Sequence, residues 1–274
     1  MPLKIERADG FLIVRFQWTI VEPGFRASTF ERLAKLLEAA NRNPEIACVL
    51  FTSSSRSFCE GSDVTSFMNK EDLGNLNRSS KRFFSALISS HIPLIAAVDG
   101  PAVGIGMTML LHFDVVLASP ESTFRSPFVQ WGLAPESASS QLLPELTGLR
   151  NAFSIFVLGK SLSVGDARST GIVTEIVDQV NLEREACLIA SRMAKLPRQS
   201  LRQTRWLLHQ RNREDDRIAL ENEIFMELLR DDATRKRLSL LARLMKRGKA
   251  NRQANPQRPE RTEERNVLRL CSSA

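Results

Sequence analysis

The chain has 274 residues, 43% hydrophobic and 25% charged, which is ordinary for a globular protein and excludes a disordered or fibrous one. The longest apolar run, VGIGMTMLL (103–111), is too short to cross a bilayer, and MPLKIERADG (1–10) carries charges where a secretory signal has an apolar centre. We therefore expect a cytoplasmic protein without a membrane span. The four cysteines lack the spacing of a thiolate metal site, so we expect no metal.

The net charge of +7 is concentrated near one end of the chain. Residues 247–274 contain seven Lys or Arg and three Asp or Glu, which gives +4 for that segment. Its polar composition cannot bury enough apolar surface to fold alone, so we predict a basic, flexible tail over 247–274. Because no aromatic residue interleaves with these charges, a nucleic-acid partner is disfavoured, although it remains an alternative.

The first half of the chain alternates between strand and helix patterns. Short apolar runs predict strands, listed in order as FLIVRF (11–16), IACVLFTSS (46–54), PLIAAVDG (93–100) and DVVLAS (114–119). Apolar residues at helical spacing predict helices in FERLAKLLEAANRN (30–43), RSSKRFFSALISS (78–90) and GIGMTMLLHF (104–113). This alternation predicts an α/β fold whose ligands bind at loops beyond the carboxyl ends of strands.

The pattern after Pro135 is mostly helical. Three short segments end at glycines: SSQLLPELTG (139–148), RNAFSIFVLG (150–159) and SVGDARSTG (163–171). A brief strand, IVTEIV (172–177), follows them. Two longer amphipathic stretches complete the pattern, REACLIASRMAKL (184–196) and LENEIFMELLRDDATRKRLSLLARLM (220–245). We predict that the second stretch packs on the body of the protein or on a neighbouring subunit.

Several common catalytic motifs are missing from the sequence. It contains no GxxxxGK[ST], no HExxH and no GxSxG, and GPAVGIG (100–106) lacks the acidic residue that a dinucleotide site places about twenty residues later. The histidines His91, His112 and His209 have no ligand spacing, so we interpret them as structural.

Two loops at strand ends are the first candidates for a site. RSFCEGSDVTSF (56–67) and VDGPAVGIGM (98–107) each follow a buried strand, and each places a glycine beside a residue whose backbone N–H can face a pocket. Two such N–H groups converging on one oxygen would form an oxyanion hole. Taken singly, each glycine is more often a turn or packing device.

Glu136, in GLAPESASS (132–140), is the second candidate. Its structural interpretation is a helix start, because proline suits the first helical position and glutamate favours the N-terminal dipole. A helix N-terminus would lower the pKa of this carboxyl group, and an apolar pocket would raise it.

The two loops, the strand DVVLAS and FRSPFVQWGLAPESASSQLLPELTG (124–148) resemble the enoyl-CoA hydratase/isomerase (crotonase) family, in order through roughly residues 5–200. The resemblance implies a ClpP-like crotonase spiral of repeated ββα units over residues 1–200. It further implies a C-terminal helical part over 201–246 used in assembly of a homotrimer or a dimer of trimers. The implied substrate is an acyl-CoA thioester, whose carbonyl oxygen accepts from the N–H groups of Ser62 and Ile105.

The family's catalytic carboxylates separate its members. Hydratases carry two glutamates, and their positions correspond here to Thr108 and Phe128, so the resemblance disfavours water addition. Glu136 is similar to the single glutamate of peroxisomal-type Δ3,Δ2-enoyl-CoA isomerases. In that role it would take a proton from C2 and return it at C4, in the oxidation of unsaturated fatty acids.

The resemblance also assigns residues that line the thioester or CoA site. They are Arg56, Phe58, Gly61, Ser62, Asp63, Val64, Thr65, Ile105 and Gly106. No cofactor is implied beyond the CoA of the substrate, and SSA is not a peroxisomal SKL-type signal. Two alternatives remain open: another crotonase-family reaction through the same enolate, and a non-catalytic protein that binds acyl-CoA or nucleic acid.

Overall fold

The computed structural model describes residues 3–19, 24–68, 70–209 and 214–254. The strands are β1 (Leu3–Ala8), β2 (Phe11–Phe16), β3 (Cys48–Ser53), β4 (Leu94–Val98), β5 (Pro101–Val103), β6 (Val115–Ala118), β7 (Thr123–Arg125), β8 (Leu162–Ser163) and β9 (Glu175–Ile176). The helices are α1 (Ala27–Arg42), α2 (Lys70–Ile88), α3 (Ile105–Thr108), α4 (Ser139–Thr147), α5 (Leu149–Phe156), α6 (Val164–Ser169), α7 (Gln179–Ala194), α8 (Arg198–Leu208), α9 (Glu214–Leu228) and α10 (Asp232–Ala254).

The main sheet has six strands in the order β1-β2-β3-β4-β6-β9. Strands β1 and β2 pair antiparallel, and the remaining pairs are parallel. The central strands CVLFTS and LIAAV are buried almost throughout, because helices cover both faces of a parallel sheet. A second sheet has the strand order β5-β7-β8. Its first strand, β5, begins shortly after the end of β4 in the main sheet.

Alternate residues of β3 face two different hydrophobic clusters. Val49 and Phe51 belong to a large cluster with α1 and α2, whereas Cys48 and Leu50 belong to a smaller one with α7. The strand alternation places successive side chains on opposite faces, so the sheet lies between these two helical layers. The large cluster is rich in aromatic rings: Phe16, Phe25, Phe30, Phe51, Phe58 and Phe83 are all fully buried.

The C-terminal helices extend over the α1–α2 side of the sheet. Helix α9 contacts α2 and α4, and α10 contacts the short 3-10 turns at Val64–Phe67 and Val129–Trp131. Arg205, on α8, is buried, with 4% of its surface exposed, and it donates a hydrogen bond to Asp114. The last helices therefore close over the loops that follow β3 and β7.

The predicted α/β fold is confirmed, with local differences at several elements. The stretch 104–113 is α-helical only over Ile105–Thr108 and continues as a 3-10 turn, Met109–His112. The stretch 220–245 is not one helix but is divided between α9 and α10. The strand expected over 172–177 shortens to β9, and β1 and α8 were not among the predicted elements.

The domain boundaries remain a prediction. Helix α10 runs to Ala254, eight residues into the segment predicted as a tail, and 255–274 lie outside the described residues. Across the described part of the chain, the helices lack the combination of length and apolar sequence that crossing a bilayer requires.

Candidate active site

The two candidate loops run side by side. Cys59 and Ala102 form an isolated parallel bridge, in which the Cys59 N–H donates to Pro101 O at 3.0 Å and the Val103 N–H donates to Cys59 O at 2.8 Å. Counting on from this bridge, Ser62 and Ile105 each lie three residues further along their own loop. The bridge therefore holds the two sequence-distant loops in register.

Glycine is required where the loops touch. A Cβ atom at Gly106 would lie 2.6 Å from Cys59 O, and one at Gly100, whose φ is +78°, would overlap Arg56 O. Real Cβ atoms do not approach backbone oxygens so closely, so any side chain at these positions would push the loops apart. The glycines predicted from the motif are thus explained by the contact between the loops.

The backbone N–H groups of Ser62 and Ile105 are not used by the backbone hydrogen bonds of the described residues, but only Ser62 lines the pocket described below, whereas Ile105 is buried outside its lining. On either side of Ser62, Gly61 O accepts from Phe25 N–H and Asp63 N–H donates to Phe25 O, each at 2.9 Å. Because N–H groups alternate along a strand, the Ser62 N–H faces away from Phe25. Ile105 is the first residue of α3, where an N–H has no partner within the helix. Among the described residues, neither N–H donates to a protein group.

Glu136 precedes α4 and is not its first residue. The helix begins at Ser139, because Ser137 (φ 66°) and Ala138 (φ 54°) adopt left-handed backbone conformations that interrupt the predicted Pro-Glu helix start. Left-handed backbone is strained for residues other than glycine. His112 Nε2 lies 2.8 Å from Ser137 O and 3.1 Å from Ser137 Oγ, so a buried imidazole holds the turn that presents Glu136.

Glu136 and Ser62 line the same pocket, which contains about 490 Å³ of empty space, part of it open to solvent. Burial and, to a smaller extent, the nearby charge of Glu221 together raise the pKa of the Glu136 carboxyl group from 4.5 to about 8. This is the direction that an apolar pocket was expected to give. A carboxyl group tuned close to neutral pH is suited to taking and returning a proton.

Glu221, on α9, is a second carboxyl group of this pocket that the sequence analysis missed. It is 4% exposed, and its Oε1 accepts from the Ser140 N–H at 2.8 Å. Burial raises its pKa, while hydrogen bonds from Ser140 and from the Ala138 N–H act to lower it. Glu221 thus joins the last helices to the turn that carries Glu136.

The sequence does contain a signal for Glu221. Ile218, Phe225 and Leu229 form the buried face of α9, and Glu221 occupies the position three residues after Ile218 on that face. Asn77 similarly interrupts an apolar face of α2. A polar residue at a core-facing helix position is informative only when the partner element is known, and the sequence does not supply that partner.

The other predicted site residues are dispersed around the loops rather than gathered in the pocket. Phe58 is fully buried and packs against Phe16 with ring centroids 5.4 Å apart. Val64 is also buried, whereas Arg56 is exposed on the first loop. The buried backbone of Gly61 lies beside Val103 O.

Asp63 and Thr65 brace the first loop internally. Asp63 Oδ1 accepts from the Thr65 N–H at 3.0 Å and from Thr65 Oγ1 at 2.7 Å, and its Oδ2 accepts from Arg26 Nε at 2.8 Å. Burial acts to raise the pKa of Asp63, but these hydrogen bonds outweigh it and lower the pKa. An ionised Asp63 therefore fixes the backbone that follows Ser62.

The positions that correspond to the hydratase glutamates are both buried. Thr108 is 1% exposed and Phe128 is 3% exposed, and neither lines the pocket. Of the histidines, His209 Nε2 lies 2.7 Å from Asp114 Oδ1, away from Glu136, and His91 is exposed. Within the described ranges, no group of three His, Cys, Asp or Glu side chains is arranged to hold a metal ion.

Comparison with known proteins shows which family the chain resembles. Residues 7–248 match the family model for enoyl-CoA hydratase/isomerase. The chain is 31% identical over 218 residues to enoyl-CoA delta isomerase 2 of Homo sapiens, covering 77% of this chain but only 55% of that protein. It is 32% identical over 180 residues to 1,2-epoxyphenylacetyl-CoA isomerase of Escherichia coli K12, covering 63% of this chain and 68% of that one.

A solved structure extends the similarity to three dimensions. The enoyl-CoA hydratase/isomerase from Pseudoalteromonas atlantica T6c superposes with a TM-score of 0.82 at 31% identity, covering 88% of this chain and 96% of that one. The crotonase fold that the motifs imply is therefore confirmed for most of the chain.

Proposed function

Because the chain belongs to the enoyl-CoA hydratase/isomerase family, we propose that it moves the double bond of an enoyl-CoA from position 3 to position 2. The observation that carries this proposal is the position of Glu136, in one pocket with Ser62 and on a turn held by His112. The substrate carbonyl oxygen would accept from the N–H groups of Ser62 and Ile105. No metal or redox cofactor takes part in the proposed reaction.

The proposed reaction needs one base. Ionised Glu136 breaks the C2–H bond and takes the proton, and the electron pair spreads from C4 to the thioester oxygen as a dienolate. The proton then forms the new C4–H bond, which leaves the double bond between C2 and C3. Two N–H donors at the oxygen stabilise the charge, each by about 3 kcal/mol in comparable sites.

The first test replaces the base. We expect Glu136→Gln to reduce turnover of 3-hexenoyl-CoA by at least 100-fold, because an amide cannot accept the C2 proton; turnover is followed by the absorbance of the conjugated 2-enoyl thioester. Glu145→Gln is the matched control, since Glu145 is exposed on α4 and should leave the rate unchanged. Substantial turnover by Glu136→Gln would overturn the proton-shuttle role.

Hydration is the second candidate function, and Glu221 is the observation in its favour. Two carboxyl groups, Glu136 and Glu221, line the pocket, and hydratases use two to hold and activate water. Wild-type protein incubated with 2-hexenoyl-CoA distinguishes the two reactions, because hydration destroys the conjugated absorbance that isomerisation creates. No change with either substrate would favour the non-catalytic binding alternative.

The remaining predictions about the whole protein are proposals too. They are assembly as a homotrimer or a dimer of trimers, a role in fatty-acid oxidation and a cytoplasmic location. Exposed apolar side chains support assembly: Leu149 is 74% exposed and Phe153 54% exposed on one face of α5. The predicted peripheral sites of Arg56 and Thr65 also belong to this proposal.

A further inference from the structure

The pocket that contains Glu136 is lined by nine apolar and seven polar residues, and two of the polar ones, Asn77 and Glu221, interrupt its apolar part. The apolar residues that contribute include Phe67, Leu76, Phe84, Ile218, Phe225 and Leu229. Asn77 enters from α2 and Glu221 enters from α9, so the two interruptions come from helices that contact each other. The apolar part of this wall suits an acyl chain, except where these two side chains lie.

Both interruptions carry a buried oxygen without a partner. Among the residues that the structure describes, Asn77 Oδ1 and Glu221 Oε2 make no hydrogen bond. The other carboxyl oxygen of Glu221 is occupied by the Ser140 N–H, and the neighbouring Ser80 hydroxyl donates to Asn77 O at 3.1 Å. Buried polar atoms in folded proteins are normally paired, so an unpaired couple in one pocket indicates a missing ligand group.

The chemistry of these two oxygens, Asn77 Oδ1 and Glu221 Oε2, indicates which kind of ligand group could pair with them. A hydrocarbon chain would leave both oxygens unpaired, and an anionic group would face the carboxyl groups of Glu136 and Glu221. A cationic group would lose its water in a pocket where apolar residues outnumber polar ones. A hydroxyl group has one proton to donate and can also accept, so it can donate to Asn77 Oδ1 and accept from the protonated form of the Glu221 carboxyl group, which burial favours.

We propose that this pocket is built for an acyl chain with a hydroxyl group beyond the reacting double bond, held between Asn77 and Glu221. The inference rests on the proposed acyl-CoA function and adds the class of acyl group. Sites that hydrogen-bond a substrate hydroxyl reject the analogue without it, because the protein groups are then left unpaired.

Calorimetric binding of saturated acyl-CoAs tests the inference without any turnover. The ligands are octanoyl-CoA and five hydroxyoctanoyl-CoAs, with the hydroxyl at C3, C5, C6, C7 or C8. We expect one isomer of the C5–C8 group to bind wild-type protein at least tenfold more tightly than octanoyl-CoA. Equal affinity for octanoyl-CoA and all four isomers would overturn the inference, and would mean that a water molecule pairs the two oxygens.

Two variants assign the preference to the proposed residues. Asn77→Leu should abolish the preference and strengthen octanoyl-CoA binding, since it replaces an unpaired amide by an apolar side chain of similar size. Glu221→Gln keeps an acceptor for the Ser140 N–H and should weaken the preferred hydroxy isomer severalfold. The controls Asn75→Leu and Glu223→Gln lie on the same two helices, are exposed, and should bind like the wild type.

The outcomes separate this inference from the proposed function. Turnover of 3-hexenoyl-CoA without any hydroxyl preference overturns the inference alone. Preference for the C3 hydroxyl over all others also overturns it, because that isomer is the product of hydration at the reacting carbons. A preference that survives in Asn77→Leu would equally contradict it, whether or not the isomerase reaction is observed.

Discussion

The conformation and the pKa of Glu136 depend on residues that lie far from it in the sequence. His112 holds the strained turn at Ser137, and Glu221 contributes a neighbouring negative charge. The sequence predicts Glu136 and Ser62 because both lie in motifs that are contiguous in the chain. It could not predict Glu221 or Asn77, since their relevance depends on which helix faces the pocket.

The pKa of Glu136 leads to a prediction about pH. The base must be ionised, so with a pKa of about 8 we expect kcat/KM for 3-hexenoyl-CoA to rise about tenfold per pH unit below 8 and to level off above it. Glu221→Gln removes one cause of the raised pKa, so the inflection should move to lower pH. Glu223→Gln is exposed on the same helix and should not move it. A wild-type inflection near 4.5 would contradict the assignment of Glu136 as the buried base.

At the scale of the elements, adjacent strands bring together the two loops that carry the proposed N–H donors. The buried strands β3 and β4 were predictable from their apolar runs, and both loops follow strands that lie next to each other in the main sheet. The short helix α3 was harder, because its glycines and the 3-10 turn after it do not follow a helical period. Gly106 of α3 lies against Cys59 of the first loop, a tertiary contact that the local sequence pattern does not reveal.

The contact at Gly106 can be tested with a matched pair of glycine substitutions. Gly106→Ala places a Cβ against Cys59 O, so we expect a loss of about 1–3 kcal/mol of stability and displacement of the Ile105 N–H, with turnover reduced more than tenfold. Gly74→Ala, in α2, meets no atom within 4 Å and should stabilise the protein by about 0.5–1 kcal/mol with normal turnover. Urea unfolding and the 3-hexenoyl-CoA assay measure both. Full activity in Gly106→Ala would contradict the expectation that the contact between Gly106 and Cys59 positions the Ile105 N–H.

At the scale of the whole molecule, one buried ion pair fastens the C-terminal helices to the sheet. Arg205 Nε donates to Asp114 Oδ2 at 2.8 Å, and its guanidinium also donates to Ser90 O and His112 O. Burial acts to raise the pKa of Asp114, but hydrogen bonds from His209 and Arg205 outweigh it, so the pKa is lowered. The sequence analysis did not predict α8, and nothing in the sequence pairs Arg205 with a residue 91 positions away.

Removal of Arg205 should therefore destabilise the fold. Arg205→Met leaves the half-buried Asp114 without its guanidinium partner, and we expect a loss of about 3–5 kcal/mol, or a fall in Tm of about 6–20 °C. Arg150→Met, at an exposed position on α5, is the control and should shift Tm by little. Differential scanning calorimetry at pH 7 measures both. A Tm for Arg205→Met equal to that of the control would show that α8 is held by other contacts.

The hydrogen bond between Ser140 and Glu221 joins positions 81 residues apart, and this separation has a consequence for synthesis. At about 5–20 residues per second, a ribosome needs roughly 4–16 s to add Glu221 after Ser140. During that interval the nascent chain already contains both candidate loops and Glu136, but the part of α9 that lines the pocket has not been completed. Glu136 can therefore acquire Glu221 as a neighbour only after α9 has docked, so its raised pKa is a property of the finished fold and not of the partly synthesised chain.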